Sequence, residues 1–201
     1  MNQAIALVAA YLLGSIPFAL IAGRLNGVDL RTVGSGNLGA TNVFRTLGRS
    51  WGIAVMILDI AKGAAAVLLA EALTSNPWPL AAGALAILGH VFPVWTRFKG
   101  GKGVAVGAGA LIGLVPAASG IILVIWVLLV VTTRYVSVAS IVAALAAAPL
   151  AWAFGAPWSY VAFIALAALF VILKHRENIV RLLRGTENRI QLGRKGAPDP
   201  T

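Results

Sequence analysis

Long apolar stretches alternate with short polar ones along nearly the whole chain, and most of the apolar stretches have membrane-crossing length. A spanning helix needs about 20 mostly apolar residues to cross a hydrocarbon layer roughly 30 Å thick. The first stretch, about Gln3 to Gly23, carries no charge. It is too long for a cleaved signal peptide and lacks the basic start of one. The second runs from Trp51 to Leu73 and encloses Asp59 and Lys62; the third runs from Trp78 to Trp95 and contains His90. Two more, Val136–Phe154 and Trp158–Leu173, are parted by Gly155-Ala156-Pro157.

The stretch Val104–Thr133 breaks the pattern. Its 30 residues would form a helix of about 45 Å, too long for one comfortable crossing. Gly107, Gly109 and Gly113 weaken its first part, and Pro116 interrupts it. Basic residues choose between one crossing and two. Four (Arg24, Arg31, Arg45, Arg49) separate the first two spans, and three (Arg97, Lys99, Lys102) follow the third. Arg134 follows the middle stretch, and seven, Lys174 through Lys195, follow the last. If the middle stretch crosses twice, all of these fall on one side, which the positive-inside rule favours. The expectation is an all-α polytopic membrane protein with seven membrane helices, N-terminus outside and C-terminus cytoplasmic. One helix, Val104–Gly113, is short and needs protein around its ends. Residues 1–190 read as a single integral membrane domain. The polar tail, 191–201, reads as disordered.

Composition sharpens this picture. Apolar residues make up 60% of the chain and charged residues 11%, against roughly 45–50% and about 25% in soluble domains. Such hydrophobicity also excludes intrinsic disorder. The absence of cysteine excludes disulfides, thiolate metal sites and a Cys nucleophile. The net charge of +10 is accounted for by topology, so no nucleic-acid partner is expected.

Three polar segments carry the candidate chemistry. The first is Gly34-Ser-Gly-Asn-Leu-Gly-Ala-Thr-Asn42, followed by Arg45. Gly34, Gly36 and Gly39 match a dinucleotide fingerprint, with Asp59 at the customary distance. Asp59, however, falls inside an apolar span, and no strand–helix–strand unit surrounds the loop. What remains is an anion cradle or a solvated inter-helix loop. Glycines bring backbone N–H groups close to an anion. Ser35, Asn37, Thr41 and Asn42 add hydrogen bonds, and Arg45 adds a bidentate fork. The second segment, Lys99-Gly-Gly-Lys-Gly103, is not a P-loop, since Thr96 and Val104 replace the required residues. Two lysines and three glycines before a helix still suit an anion, though a positive-inside anchor would explain the lysines alone. The third, Lys174 through Glu187, reads as a span running into an interfacial amphipathic helix. His175 and Asn178 share one face of it, and Ile179, Leu182 and Leu183 form an apolar stripe.

Within the spans, Asp59 and Lys62 are i, i+3 and able to pair. His90 reads as a packing histidine. Neither histidine belongs to a metal-ligating cluster, so no metal is expected. There is no G-x-S-x-G, and no Asp follows either histidine at the spacing many glycerolipid acyltransferases use.

Taken in order, Gly34 to Arg45, Phe98 to Ala105 and Lys174 to Glu187 resemble the bacterial acyl-phosphate-dependent glycerol-3-phosphate acyltransferases (PlsY type). Asp59-Ile-Ala-Lys-Gly63 and Gly89-His-Val-Phe-Pro93 are similar to the family as well, and the likeness extends to about residue 190. It implies an inner-membrane enzyme with its active site facing the cytoplasm. Such an enzyme moves an acyl group from acyl phosphate to the 1-hydroxyl of glycerol 3-phosphate, early in phospholipid synthesis. The products are lysophosphatidate and phosphate. No cofactor is implied. A phosphate acyltransferase would act upstream and a lysophosphatidate acyltransferase downstream, with membrane lipids around the chain.

On this resemblance, Ser35, Gly36, Asn37, Thr41, Asn42 and Arg45 bind substrate or phosphate, as do Lys99, Gly100, Gly101, Lys102, Gly103 and Asn178. Ser35, Arg45, Lys102, His175 and Asn178 are the candidate catalytic residues. Asp59, Lys62, His90 and Glu177 are possible supports, Glu177 by orienting an arginine. The hydroxyl proton goes to His175, whose ordinary pKa near 6.5 suits the task, or to a phosphoryl oxygen of the donor. The scarcity of carboxylates favours the phosphoryl oxygen. A small-anion transporter and a non-catalytic lipid-binding scaffold are the rival readings. The spans hold too few polar residues for the first, and the scaffold leaves the glycine loops unexplained.

Overall fold

The structure, a computed structural model, describes residues 1–191. Those residues form ten α-helices and no strand. Of the expected tail, all but residue 191 lies outside the described residues. The chain opens with α1 (Asn2–Ser15) and α2 (Phe18–Leu25). Together they form the expected first span, Asn2–Leu25, with a helix break at Pro17 inside it. Proline has no N–H to donate and its ring crowds the preceding turn, so α1 ends at Ser15, and the Ile16 carbonyl accepts from the Phe18 amide at 3.2 Å with a lone pair left for a side-chain donor. A loop leads to α3 (Ala40–Leu47), then to α4 (Arg49–Leu73) and α5 (Trp78–Val91). A 3₁₀ turn at Val94–Thr96 precedes α6 (Val104–Leu114). The chain continues through α7 (Pro116–Thr133), α8 (Val136–Ala153), α9 (Trp158–Lys174) and α10 (Arg176–Leu183).

Among the described residues, five stretches are long and apolar enough to cross a membrane: Asn2–Leu25, Arg49–Leu73, Trp78–Thr96, Pro116–Thr133 and Val136–Ala153. A sixth combines α9 with α10 across a 57° bend. The 11 residues of α6 reach only about 16 Å, roughly half a hydrocarbon layer. Pro116 separates α6 from α7 where the sequence places the break.

Small residues let these helices approach closely. A Cβ on Gly63 of α4 would strike the Val106 carbonyl of α6, and one on Gly109 would strike the Ile60 carbonyl of α4. Gly14 of α1 and Gly89 of α5 meet each other's helices in the same way. Without a hydrophobic drive between helices in lipid, such close backbone packing is a main source of association. Val67, Ala110, Leu114, Ala118, Ile122, Ala147 and Ile164 fill the core between α4, α6, α7, α8 and α9. Large apolar side chains such as Val124, Leu128 and Val131 face outward, as lipid-facing positions require.

The short helix α6 stands wedged against α4 with its N-terminus preceded by Gly103 at φ 85°. The glycine-rich loop that precedes it, α3, and the segment after α9 meet at one end of the bundle.

Candidate active site

Asn42, the third residue of α3, organises the first polar segment. Its Oδ1 accepts from the Ser35 amide at 2.9 Å, and its Nδ2 donates to the Leu30 and Val33 carbonyls at 3.1 and 3.2 Å. The side chain is buried. Gly34 and Gly36 take φ of 60° and 66°, and a Cβ on Gly34 would collide with the Asn42 amide. The geometry therefore puts Asn42 inside the loop as its brace rather than on its rim. Ser35 stays exposed, its hydroxyl open to solvent. Thr41 and Asn37 are half-buried beside it.

In the second segment the Gly100 amide donates to the Val91 carbonyl and the Gly101 amide to the His90 carbonyl, each at 3.1 Å. Thr96 Oγ1 donates to the Lys99 carbonyl at 2.7 Å. These bonds fold the loop back onto the end of α5. Gly103 then turns the chain into α6. Lys102 comes out half-buried and donates to Asn178 Oδ1, whereas Lys99 is exposed and outside this network.

The third segment supplies the other half. Asn178 Nδ2 donates to Glu187 Oε1 at 2.6 Å, Ser137 Oγ donates to the same oxygen at 2.9 Å, and Arg181 Nε donates to Glu187 Oε2 at 2.7 Å. A continuous chain thus runs Lys102–Asn178–Glu187–Arg181, tied to α8 through Ser137. Arg45 enters from α3: its Nη2 donates to the Asn188 carbonyl at 2.9 Å, while its buried Nε has no partner within the described residues. His175 is buried, and its Nδ1 donates to the Val171 carbonyl at 2.7 Å. In a neutral ring that bond leaves Nε2 as the acceptor.

Charge at this end is uneven. Burial lowers the Lys102 pKa, and the nearby Arg181 lowers it further. Burial also lowers that of Arg45. Both cations are partly desolvated and undercompensated, a condition that an anion between them would relieve. Glu187 feels burial in the opposite direction, but hydrogen bonds from Asn178, Arg181 and Ser137 together hold its carboxyl below the usual range.

Sequence reasoning named Arg45, Lys102, His175 and Asn178, and the structure draws Arg45, Lys102 and Asn178 into one neighbourhood, with His175 one turn before Asn178. It missed Glu187, Arg181 and Ser137. The role expected of Glu177, orienting an arginine, is performed by Glu187; Glu177 itself is exposed. The available signal was scarcity: with only six carboxylates in the chain, one placed among arginines near the end of a basic segment has a partner. Asp59, Lys62 and His90 are outside this network, buried at the junction of α1, α4 and α5 next to the second segment. Lys62 Nζ lies 2.7 Å from Asp59 Oδ1, the pairing their i, i+3 spacing allows. Among the described residues no group of His, Asp and Glu could hold a metal ion.

A helical bundle with lipid-facing walls and a cationic, hydrogen-bonded cluster at one end marks an integral membrane protein. Comparison with known proteins specifies which. Residues 4–185 match the family described as glycerol-3-phosphate acyltransferase, and the chain belongs to that family. It is 46% identical over 192 residues to a glycerol-3-phosphate acyltransferase of Geobacter sulfurreducens, covering 95% of this chain and 99% of the relative. A namesake from Nitrobacter winogradskyi is 47% identical over 190 residues, covering 94% and 96%. Among solved structures, it matches the glycerol 3-phosphate form of PlsY (YgiH), described as an integral membrane glycerol 3-phosphate acyltransferase. The TM-score is 0.91 at 39% identity, covering 95% of this chain and 96% of that one. The lysophosphatidic acid form of PlsY matches with a TM-score of 0.88 at 38% identity, covering 94% and 95%. The protein is an acyltransferase, and the transporter and scaffold readings fall away.

Proposed function

We propose that this acyltransferase takes its acyl group from acyl phosphate and gives it to the 1-hydroxyl of glycerol 3-phosphate. The hydroxyl oxygen bonds to the acyl carbon, the anhydride C–O bond breaks, and inorganic phosphate leaves. The product is 1-acyl-glycerol 3-phosphate. The observation that carries this reading is the convergence of Lys102 and Arg45 on the Asn178–Glu187–Arg181 network, which offers two undercompensated cations to two phosphorylated reactants. A mixed anhydride is already activated, so positioning and charge stabilisation suffice without a covalent enzyme intermediate. Lys102 neutralises the departing phosphate, Arg45 grips a phosphate with its free N–H groups, and Ser35 with the Asn37 amide completes the cradle, where Gly36 at φ 66° turns the backbone toward the anion. Thr41 adds a hydroxyl, and Gly100, Gly101 and Gly103 let the backbone approach.

On this reading the proton of the attacking hydroxyl leaves on a phosphoryl oxygen. The Nδ1 bond of His175 favours a second reading, in which its bare Nε2 takes that proton. Asn178 hydrogen-bonds substrate in either case. Positive-inside counting supports seven membrane segments, an external N-terminus and a site facing the cytoplasm of a bacterial inner membrane, within one domain spanning residues 1–190. The product then feeds an early step of phospholipid synthesis, between a phosphate acyltransferase and a lysophosphatidate acyltransferase.

The protein in lipid nanodiscs, given acyl phosphate and labelled glycerol 3-phosphate, is expected to form lysophosphatidate without CoA or acyl carrier protein. Activity that requires either of those donors rejects acyl phosphate as the direct source. In the same assay, substantial turnover by His175→Ala with a flat basic limb of the pH profile rejects His175 as the base.

A further inference from the structure

Three polar side chains are buried together beneath the active site and have no part in the proposed chemistry. Lys62 of α4 has three ammonium hydrogens and three acceptors around it. They are Asp59 Oδ1 at 2.7 Å, the Ile16 carbonyl at 2.8 Å and His90 Nδ1 at 3.1 Å. All three side chains are almost wholly buried. Because the ammonium only donates, His90 Nδ1 is the acceptor and Nε2 carries the ring hydrogen. That fixes both the tautomer and the ring plane.

The ring so held is the floor of the second polar segment. A Cβ on Gly101 would run into His90 Nε2, so the loop backbone lies directly against the imidazole. The backbone of the same histidine receives the Gly101 amide, and the next residue, Val91, receives the Gly100 amide. Lys102 follows immediately. The Ile16 carbonyl that Lys62 also holds lies at the Pro17 break, just before the helix that leads toward the first polar segment. A small cavity lined by Ser15, Asp59, Lys62, His90 and Gly100 joins these parts.

We propose that Lys62, braced by Asp59, is a positioning residue that acts through His90 to hold the Gly100–Lys102 loop in its phosphate-binding shape. The inference rests on the role proposed for Lys102. A charge pair used only for stability needs no third acceptor on the element that carries the loop. Here the third N–H of Lys62 orients the ring on which Gly101 rests. Removing Asp59 alone would strand a buried charge, and removing Lys62 alone would do the same. The informative variant therefore removes both charges together.

The test uses the full chain in nanodiscs, comparing the unaltered protein with Asp59→Asn/Lys62→Met. Hydrogen exchange of the Gly100 and Gly101 amides is expected to accelerate at least about 10-fold, while exchange in α7 and α8 stays as it was. The kcat/KM for acyl transfer is expected to fall by a comparable factor. Unchanged exchange at residues 99–103, or a uniform acceleration across all helices, overturns the proposal. Should the double variant fail to fold, His90→Asn serves. It keeps an acceptor for Lys62 but removes the ring beneath Gly101, and the same local acceleration is expected; its absence overturns the proposal equally. An unaltered protein that makes no lysophosphatidate from acyl phosphate refutes the donor assignment instead, and leaves the exchange comparison standing.

Discussion

Glu187 and Asn178 show how a single side chain can tie chemistry to architecture. Glu187 receives three hydrogen bonds, from Asn178, Arg181 and Ser137, and so joins α8 and α10 to the loop before α6. Its carboxyl is held below its ordinary value of 4.5, which means that folding favours the ionised form. The sign follows directly: this contribution is fully present above about pH 4.5 and is lost as pH falls through the lower folded value. The melting temperature of the unaltered protein in nanodiscs is therefore expected to fall on acidification below pH 4.5. Glu187→Gln, which cannot ionise, is expected to start lower at pH 7 and to vary less with pH. Equal slopes for the two proteins would contradict the assignment. The sequence marks Lys102 and Asn178 as special through their glycine-rich and helical settings. It does not mark Ser137, an ordinary serine at the start of an apolar helix, whose importance comes only from facing Glu187, 50 residues further on.

Elements are positioned chiefly by residues that lack side chains. The short helix α6 lies against α4 because Gly63 and Gly109 let the two backbones touch, and this contact aims the N-terminus of α6 and the loop before it. Gly109→Ala is expected to cost about 1–3 kcal/mol, since overpacking forces the helices apart, and to lower activity by displacing Lys102. Gly120 of α7 supplies the control: a Cβ there meets nothing. Gly120→Ala is expected to be neutral or to stabilise by up to about 1 kcal/mol from helix propensity alone. Thermal melting of the two variants side by side checks both. The division of the middle stretch at Pro116 was legible, because proline leaves a sequence-level mark. The break at Pro17 carries the same mark, but continuous hydropathy obscures it. The helix α3 was not legible, because its eight residues, Ala40–Leu47, mix polar and apolar types with no span-length signal.

Over the whole molecule, the three polar segments meet at one end of the bundle, and that meeting is the premise of the proposed reaction. The chain has no cysteine, so single cysteines report topology without background. Ser35→Cys and Lys99→Cys are expected to react with an impermeant reagent only from the cytoplasmic side of membrane vesicles, and Ser75→Cys only from the opposite side. Labelling of positions 35 and 99 from different sides would separate the segments that the site requires together. Hydropathy and the placement of arginines and lysines determined by themselves that this is a helical membrane protein, and the ordered glycine-rich segments identified its family resemblance. Both signals are local: the cost of burying charge in lipid and the backbone freedom of glycine act residue by residue. Only the tertiary structure decided that Asn42 braces a loop, that Glu187 rather than Glu177 holds an arginine, and that Lys62 and His90 underlie the Gly100–Lys102 turn. Those roles come from contacts between residues distant in the chain, and hydropathy and spacing record only what lies near.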